Sequence, residues 1–362
     1  MGGSRPASIL VIRTGHLGDT VAAVPALRLI RAWAPSARLT LLCDQPMGGQ
    51  TPARSVLESM GVADDIATYC TRPRWRAAFS IWRTVRRLKP DLAIVLGQVR
   101  ATKQATARFV WALRLMGIAD VRVSNPITAA GGTWPGEAER LCSGLRAEGI
   151  AGATPPFAIP PMWHARQAAT QRLRDLGIGE GTPYLVFCGG GKAPTQRWPL
   201  ARYAEVLRAI SADRRLPVIL VGSATEMAHY RAAFGGKLPG IHYLDGLSLP
   251  ELFELLRGAL AYLGNDTGPM HVAASVGCPV IAVMSARNAP GQWYPEVQPR
   301  LVFRKAVTCQ NCFLQDCIVE RHRCMTDISV AEVTSGALQF INILTDASAV
   351  SNKKWVVDVE SH

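Results

Sequence analysis

The sequence predicts an α/β protein of two Rossmann-like domains facing a central cleft, and three observations predict it. Short apolar runs alternate with helix-patterned segments from the start, which is the pattern of parallel βαβ units. The alternation breaks at a Pro/Gly-rich stretch, Gly149 to Pro161 (GIAGATPPFAIPP), and then restarts. Each half also opens with a strand that runs into a glycine loop. At 362 residues the chain has the length for two cores. We therefore read residues 1–160 as a first domain, 161–345 as a second, and 346–362 as a polar tail.

Taken in order, Ser8 to Arg13 (SILVIR) reads as a buried strand, Thr14 to Gly18 as a loop, and Asp19 onward (DTVAAVPALRLIRAW) as a helix. Arg38 to Cys43 and Asp91 to Leu96 are further strands. Between them lies an amphipathic helix, Trp75 to Leu88, that carries Trp75, Phe79, Trp82 and Val85 at helical spacing. It reads as an ordinary core-facing helix, with a surface element touching lipid headgroups as the alternative. In the second half, strands are expected at 183–188, 216–221, 241–244, 260–264 and 279–284. The helices between them fall near 200–211, Glu226, 249–257 and 268–276. Ligands bind such sheets at the carboxyl ends of the strands.

Composition narrows the class. Hydrophobic residues make up 48% and charged residues 19%, which excludes a disordered chain. No apolar run reaches the ~20 residues of a membrane span. The N-terminal residues lack a signal-peptide h-region, so a cytoplasmic location is expected. Nine cysteines, an odd number in a long chain, do not suggest a secreted disulfide framework. The net charge is +13, and residues 1–150 carry +10 of it. From Arg72 to Lys103 the bases Arg72, Arg74, Arg76, Arg83, Arg86, Arg87, Lys89, Arg100 and Lys103 face a single acid, Asp91. That concentration favours an anionic partner, either a phosphorylated substrate, a membrane surface or nucleic acid. A solvated face is the plainer alternative.

Three segments carry chemistry. Gly264 to His271 (GNDTGPMH) follows a strand and opens a helix. Asp266 or Thr267 suits the N-cap, Gly268 permits close approach, and Pro269 suits the first turn. The result is a helix N-terminus competent to hold a phosphate, with His271 able to donate to it. The second segment is Gly189-Gly190-Gly191-Lys192 followed by Gln196-Arg197-Trp198-Pro199, where Lys192 and Arg197 can neutralise a diphosphate. It lacks the Walker A spacing. The third places Asp19 at the mouth of the first strand, either as a helix cap or as a carboxylate that takes a proton.

Together these segments resemble glycosyltransferase family 9, the ADP-heptose:lipopolysaccharide heptosyltransferase family. The matching stretches are ILVIRTGHLGDTVAAVPALRLIRAWAPSARLTLL, the glycine loop leading to RWPLARYAEVL and VILVGSATE, and SLPELFELLRGALAYLGNDTGPMHVAASVGCPVIAV. The resemblance implies a GT-B fold and inverting transfer of a heptose or related sugar from a nucleotide-diphosphate donor, with ADP-heptose favoured. It implies Asp19 as the base, and Asp266, Thr267, Gly268 and His271 as the diphosphate and sugar site. Glu226 matches a ribose contact, and Leu247 falls where the family lines the base pocket. One departure stands out: where the family carries Lys two residues before Trp, this chain has Gln196, and Lys192 lies four residues upstream. The implied acceptor is a phosphorylated, lipid-linked saccharide such as a lipopolysaccharide core. The charge excess of the first domain adds the expectation of peripheral attachment to the anionic inner face of the cytoplasmic membrane through that domain.

No D-x-D pair stands beside a strand end, so a metal-independent mechanism requiring no cofactor is expected. Separately, Cys309, Cys312, Cys317 and Cys324 have spacing compatible with a structural zinc or iron-sulfur site. The alternative is reduced thiols or a conditional disulfide. Three rival functions fit less well. A nucleotide-sugar 2-epimerase of similar architecture has no use for a basic, aromatic-bearing first domain. An NAD-dependent oxidoreductase needs a G-x-G-x-x-G fingerprint, which the first loop, Gly15-x-x-Gly18, does not provide. Nothing in the chain resembles a nucleic-acid-binding module, so nucleic acid is not the expected partner.

Overall fold

The computed structural model describes residues 5–15, 17–45, 57–58, 60–70, 73–97, 102–124, 134–214, 216–236, 238–346 and 356–361. The chain divides into two compact units, 1–157 and 158–362. The division has a local cause in the Pro/Gly-rich stretch. Arg28 of the first unit donates to the Pro156 carbonyl at 3.0 Å, whereas the Ile159 N–H donates to Ser275 of the second at 2.8 Å. Arg257 also holds the carbonyls of Ile159 and Pro160, at 2.8 and 3.1 Å.

The first unit is built on a parallel sheet of β1 (Ser8–Arg13), β2 (Arg38–Gln45), β3 (Asp65–Cys70), β4 (Leu92–Leu96) and β5 (Asp120–Ser124), in the order β3-β2-β1-β4-β5. Ile9 to Ile12 of β1 are apolar on both faces and fully buried, as the centre of a parallel strand must be. The stretch after Gly18 forms two helices rather than one, α1 (Leu17–Ala22) and α2 (Val24–Trp33). Pro25 lies in the first turn of α2, and a proline that donates no backbone hydrogen bond favours a fresh helix start there. Helices α3 (Arg74–Leu88), α4 (Lys103–Leu115) and α5 (Glu137–Ala147) complete the unit.

Helix α3 does not sit as the core-facing reading expects. Ile81, Thr84 and Val85 are buried, and Ile81 and Val85 join a core cluster with Leu10, Ile12, Leu42 and Leu113. Trp75, Phe79 and Trp82 instead face solvent, at 66%, 58% and 43% exposure. Helical spacing groups these three on one stripe, but the aliphatic residues of the opposite stripe make the better core seam and take the inner face.

The second unit begins with α6 (Trp163–Asp175) and carries a seven-stranded parallel sheet. Its strands are β6 (Leu185–Cys188), β7 (Val218–Val221), β8 (Ile241–Leu244), β9 (Ala261–Asn265), β10 (Val280–Val283), β11 (Arg300–Lys305) and β12 (Val356–Ser361). They are arranged β12-β11-β10-β9-β6-β7-β8. Helices α7 (Leu200–Arg214), α8 (Ala224–Phe234), α9 (Leu249–Gly258), α10 (Gly268–Ser275), α11 (Arg323–Thr326) and α12 (Val330–Thr345) accompany it. Ser-x-x-Glu capping boxes start α8 (Ser223, Glu226) and α9 (Ser248, Glu251), each cap worth about 1 kcal/mol. Phe187, Trp198, Tyr203, Tyr230 and Phe234 form an edge-packed aromatic core beside β6. The segment read as a polar tail includes β12, which runs parallel to β11 with Arg300 opposite Val356. The alternating VVDVES run is its strand signal, which the polar residues just before it concealed.

Both sheets share one topology. The strand order reverses between β1 and β4 in the first unit and between β6 and β9 in the second. Such reversal points open a crevice at the carboxyl ends of the strands, where doubly wound sheets bind ligands.

Candidate functional site

The second unit's reversal point is lined by the ends of β6 and β9, and Asn265 ties them together. Its amide donates to the carbonyls of Gly189 and Gly190 at 2.8 and 3.0 Å. Its oxygen accepts from the Trp198 N–H at 3.2 Å and the Tyr203 hydroxyl at 2.7 Å. A single buried side chain thus fixes the glycine loop and the Gln196–Trp198 segment to the strand that leads into Asp266. Gly190 is required there, because a Cβ would lie 1.6 Å from Oε1 of Glu226. Glu226 itself closes the α8 capping box, its Oε2 accepting from the Ser223 N–H and hydroxyl at 2.7 and 2.8 Å.

Asp266 is buried, and neutral donors hold its carboxylate. Gln196 Nε2 lies 3.2 Å and Asn288 Nδ2 3.3 Å from Oδ2, while His271 Nε2 lies 3.6 Å from Oδ1. The His271 ring meets Trp293 edge-on at 5.7 Å. Thr267 occupies the N-cap position of α10, yet its side chain makes no capping bond; its hydroxyl is 3.2 Å from that of Tyr262. Thr267 therefore provides no side-chain cap for α10, whose positive dipole end is available to an anion. The sequence expectation of a cap by side chain fails, because Tyr262 engages the hydroxyl and Gln196 and Asn288 engage the carboxylate. Lys192 is exposed on the glycine loop, and Arg197 returns from solvent to donate to the Gly191 carbonyl at 2.8 Å. Leu247 is half-buried in the turn between β8 and α9. Asp266, Thr267, Gly268, His271, Gln196 and the glycine loop come together at the reversal point. Glu226 adjoins them through Gly190.

Asn265, Asn288 and Trp293 are additions that sequence reasoning missed. Only Asn265 carried a signal, as the residue closing a strand immediately before the singled-out Asp266.

In the first unit Asp19 is the third residue of α1 and not its cap. It is 26% exposed, at the β1/β4 reversal point, with Oδ1 3.7 Å from the Arg13 guanidinium. Arg13 also donates to the Asp19 carbonyl at 3.0 Å and to that of Leu96 at 3.4 Å. Beneath Asp19 a charged chain runs inward. Arg13 lies 3.4 Å from Glu137, and Arg140 grips the same carboxylate through two bonds of 2.7 and 2.8 Å while donating to Gly97. Gly15 turns with φ of +142°, and a Cβ there would fall 2.5 Å from that of Asp19, so only glycine lets the loop pass. Arg13, Glu137 and Arg140 were also missed, since nothing local in sequence announces them.

Of the basic face, Arg72 lies outside the described residues, and Arg74 is placed as the first residue of α3. Arg76, Arg83, Arg86 and Arg87 are exposed on α3, with Arg76 over the Trp75 ring at 5.2 Å and Arg86 over Trp82 at 5.9 Å.

Cys309, Cys312, Cys317 and Cys324 form no disulfide among the described residues. Among the described residues no three His, Cys, Asp or Glu groups are gathered to hold a metal ion. Cys317 Sγ accepts from the His322 N–H at 3.2 Å. Burial, and then its proximity to the other three thiols, pushes the Cys324 thiol up to about 11. At pH 8 only about one Cys324 in a thousand is thiolate, the reactive form. Iodoacetamide mapping of the native protein at that pH should therefore find Cys324 the last of the four to be alkylated, and denaturant should remove the lag. Equal native rates for all four would contradict this.

The family model described as "Glycosyltransferase family 9 (heptosyltransferase)" matches residues 147–322. Lipopolysaccharide heptosyltransferase 1 of Pseudomonas aeruginosa is 25% identical over 339 residues, covering 85% of this chain and 87% of that protein. Among solved structures, a glycosyl transferase family 9 protein from Veillonella parvula superposes with a TM-score of 0.75 at 17% identity, covering 93% of this chain and 97% of that one. The E. coli ADP-heptose lps heptosyltransferase II gives 0.68 at 19% identity, covering 92% and 98%. The chain shares their GT-B fold of two Rossmann-like domains.

Proposed function

Since the chain belongs to glycosyltransferase family 9 and is a glycosyltransferase acting on a nucleotide-sugar donor, we propose that it moves a heptose from ADP-heptose to a phosphorylated, lipid-linked core saccharide with inversion. The names of the relatives, heptosyltransferases of lipopolysaccharide, support the sugar and the acceptor class. The observation that carries the donor assignment is the uncapped α10 N-terminus beside the glycine loop, with Asp266 and His271 buried at its mouth.

Each element has a task in this reading. The leaving diphosphate gains charge as the glycosidic bond breaks, and the α10 dipole, His271, Lys192 and Arg197 answer it. In this reading that compensation comes from the protein's own groups, without a metal ion or cofactor. Asp266, immobilised by Gln196 and Asn288, accepts from sugar hydroxyls. The Asn288 oxygen is buried with no hydrogen-bond partner among the described residues, an acceptor that a ligand hydroxyl would satisfy. In this reading Oε1 of Glu226, beside Gly190, accepts from a ribose hydroxyl, and Leu247 contributes to the base pocket. Asp19 takes the proton of the acceptor hydroxyl, and attack opposite the departing diphosphate inverts the anomeric centre. Gln196 in place of a lysine leaves the Asp266 carboxylate unneutralised by an ammonium, which moves the positive charge of the site to Lys192, Arg197 and the helix end.

A thermal-shift screen against ADP-, UDP-, GDP- and CDP-sugars tests the donor. Selective stabilisation by an ADP-sugar is expected, by about 2.7 kcal/mol at a hundredfold excess over Kd. Selective stabilisation by a UDP- or GDP-sugar would replace the heptosyl assignment. The reaction belongs at the inner face of the cytoplasmic membrane, where a lipid-linked acceptor and a nucleotide sugar coexist.

A further inference from the structure

Helix α3 presents an outward face that the donor chemistry does not use. Trp75, Phe79, Trp82 and Arg86 follow one another at intervals of four, three and four, and so form a single exposed stripe along the helix. Arg76, Arg83 and Arg87 form the adjoining stripe, and the helix contains no acid. Helix α4 packs on the same core cluster through Leu113 and adds exposed Trp111 and Leu115, with Arg108 and Arg114 beside them. Large aromatic side chains are seldom left in water without a purpose when the same helix has aliphatic residues to bury.

We propose that the outer face of α3, extended by Trp111 and Leu115 of α4, is the surface by which the protein docks on an anionic lipid bilayer, with the aromatic stripe entering the headgroup region and the arginines pairing with lipid phosphates. Two features select a bilayer over other anionic partners. An amphipathic helix with an aromatic stripe and an arginine border matches the interface in both polarity and charge. Phe79 and Trp82 stack on each other, with centroids 5.6 Å apart and planes at 29°, so that they present one continuous apolar surface of the kind that enters a headgroup region. Among the described residues no helix is long and apolar enough to cross a membrane, so contact of this kind is superficial. The arginines over Trp75 and Trp82 preserve ring orientation while their charges remain at the phosphate level. This proposal rests on exposure and charge, and it stands whatever nucleotide the second unit takes.

The test is co-sedimentation of the full chain with phosphatidylcholine vesicles, pure or containing about a third phosphatidylglycerol. Binding is expected only to the anionic vesicles, with a blue shift of tryptophan emission and quenching by brominated acyl chains. The triple variant W75A/F79A/W82A should lose at least about tenfold in vesicle partitioning. Because the three side chains are exposed, its circular dichroism and its donor-induced thermal shift should match the parent. R83E/R86E/R87E should likewise abolish binding to anionic vesicles. The proposal is overturned if the aromatic variant partitions like the parent, or if binding ignores anionic lipid content. It is equally overturned if the aromatic variant changes only the oligomeric state in solution, which would assign the face to a second protein.

Discussion

Replacing Asp19 with asparagine is expected to lower the rate of sugar transfer by about 10²- to 10⁴-fold, the range a positioned general base contributes, with donor affinity unchanged. The separation of effects follows from placement. Asp19 lies at the first unit's reversal point, whereas the groups assigned to the donor belong to the second. The side chain is partly exposed and its carbonyl, not only its carboxylate, is held by Arg13, so asparagine keeps the main anchor of the loop. Initial-rate assays combined with calorimetric titration of the donor make the measurement. Near-parental turnover in the variant would remove Asp19 from the role of base, and a parallel loss of donor binding would show that the substitution had disturbed more than proton transfer.

The second large effect is on stability. Glu137 is buried and shared by Arg13 and Arg140, themselves buried. Glu137→Ala should destabilise the first unit by about 3–5 kcal/mol, since it strands two guanidinium groups away from water. For a unit of this size that corresponds to a fall of roughly 10 °C or more in Tm. Glu137→Gln, which retains the shape and one acceptor, should lose less. Calorimetric or circular-dichroism melting distinguishes the two, and a loss below about 1 kcal/mol for the alanine variant would mean that water or a neighbouring group replaces the carboxylate. The consequence reaches Asp19, because the same guanidinium of Arg13 that rests on Glu137 positions its backbone.

What the sequence revealed, and what it concealed, follows the range of the interactions involved. Strands β1, β6 and β9, the glycine loop and the α10 start were legible because a strand end, a small residue and a helix start are adjacent in the chain. Gln196 was visible as an oddity, but its partner Asp266 is reached only through the fold. Arg13 and Glu137 meet across most of the first unit, so no local pattern links them. Strands β3, β5 and β11 went unrecognised because their apolar runs are short or interrupted: Ile66 and Ala67 are followed by Thr68, Arg122 separates Val121 from Val123, and only Leu301 to Phe303 are apolar in β11. The orientation of α3 is a different kind of failure. Periodicity shows that Trp75, Phe79 and Trp82 share a face but not which way it points; Arg86, continuing the same stripe, was the overlooked sign that it points outward.

The two reversal points also have a kinetic meaning. In each sheet the pairing that spans the longest stretch of chain is the one at which the order reverses, Ile9 beside Leu92 and Leu185 beside Ala261. Every other ladder joins strands closer in sequence, and none is a hairpin, since all are parallel. Loop-closure entropy makes these two pairings the most demanding to nucleate. The flanking βαβ segments can assemble before them, and the crevices that hold Asp19 and Asp266 come into being as each sheet is joined across its middle. Ligand chemistry is thus located at the pairing of greatest sequence separation in each sheet, and a donor that binds beside the β6–β9 pairing reinforces the contact with the largest closure entropy in its unit.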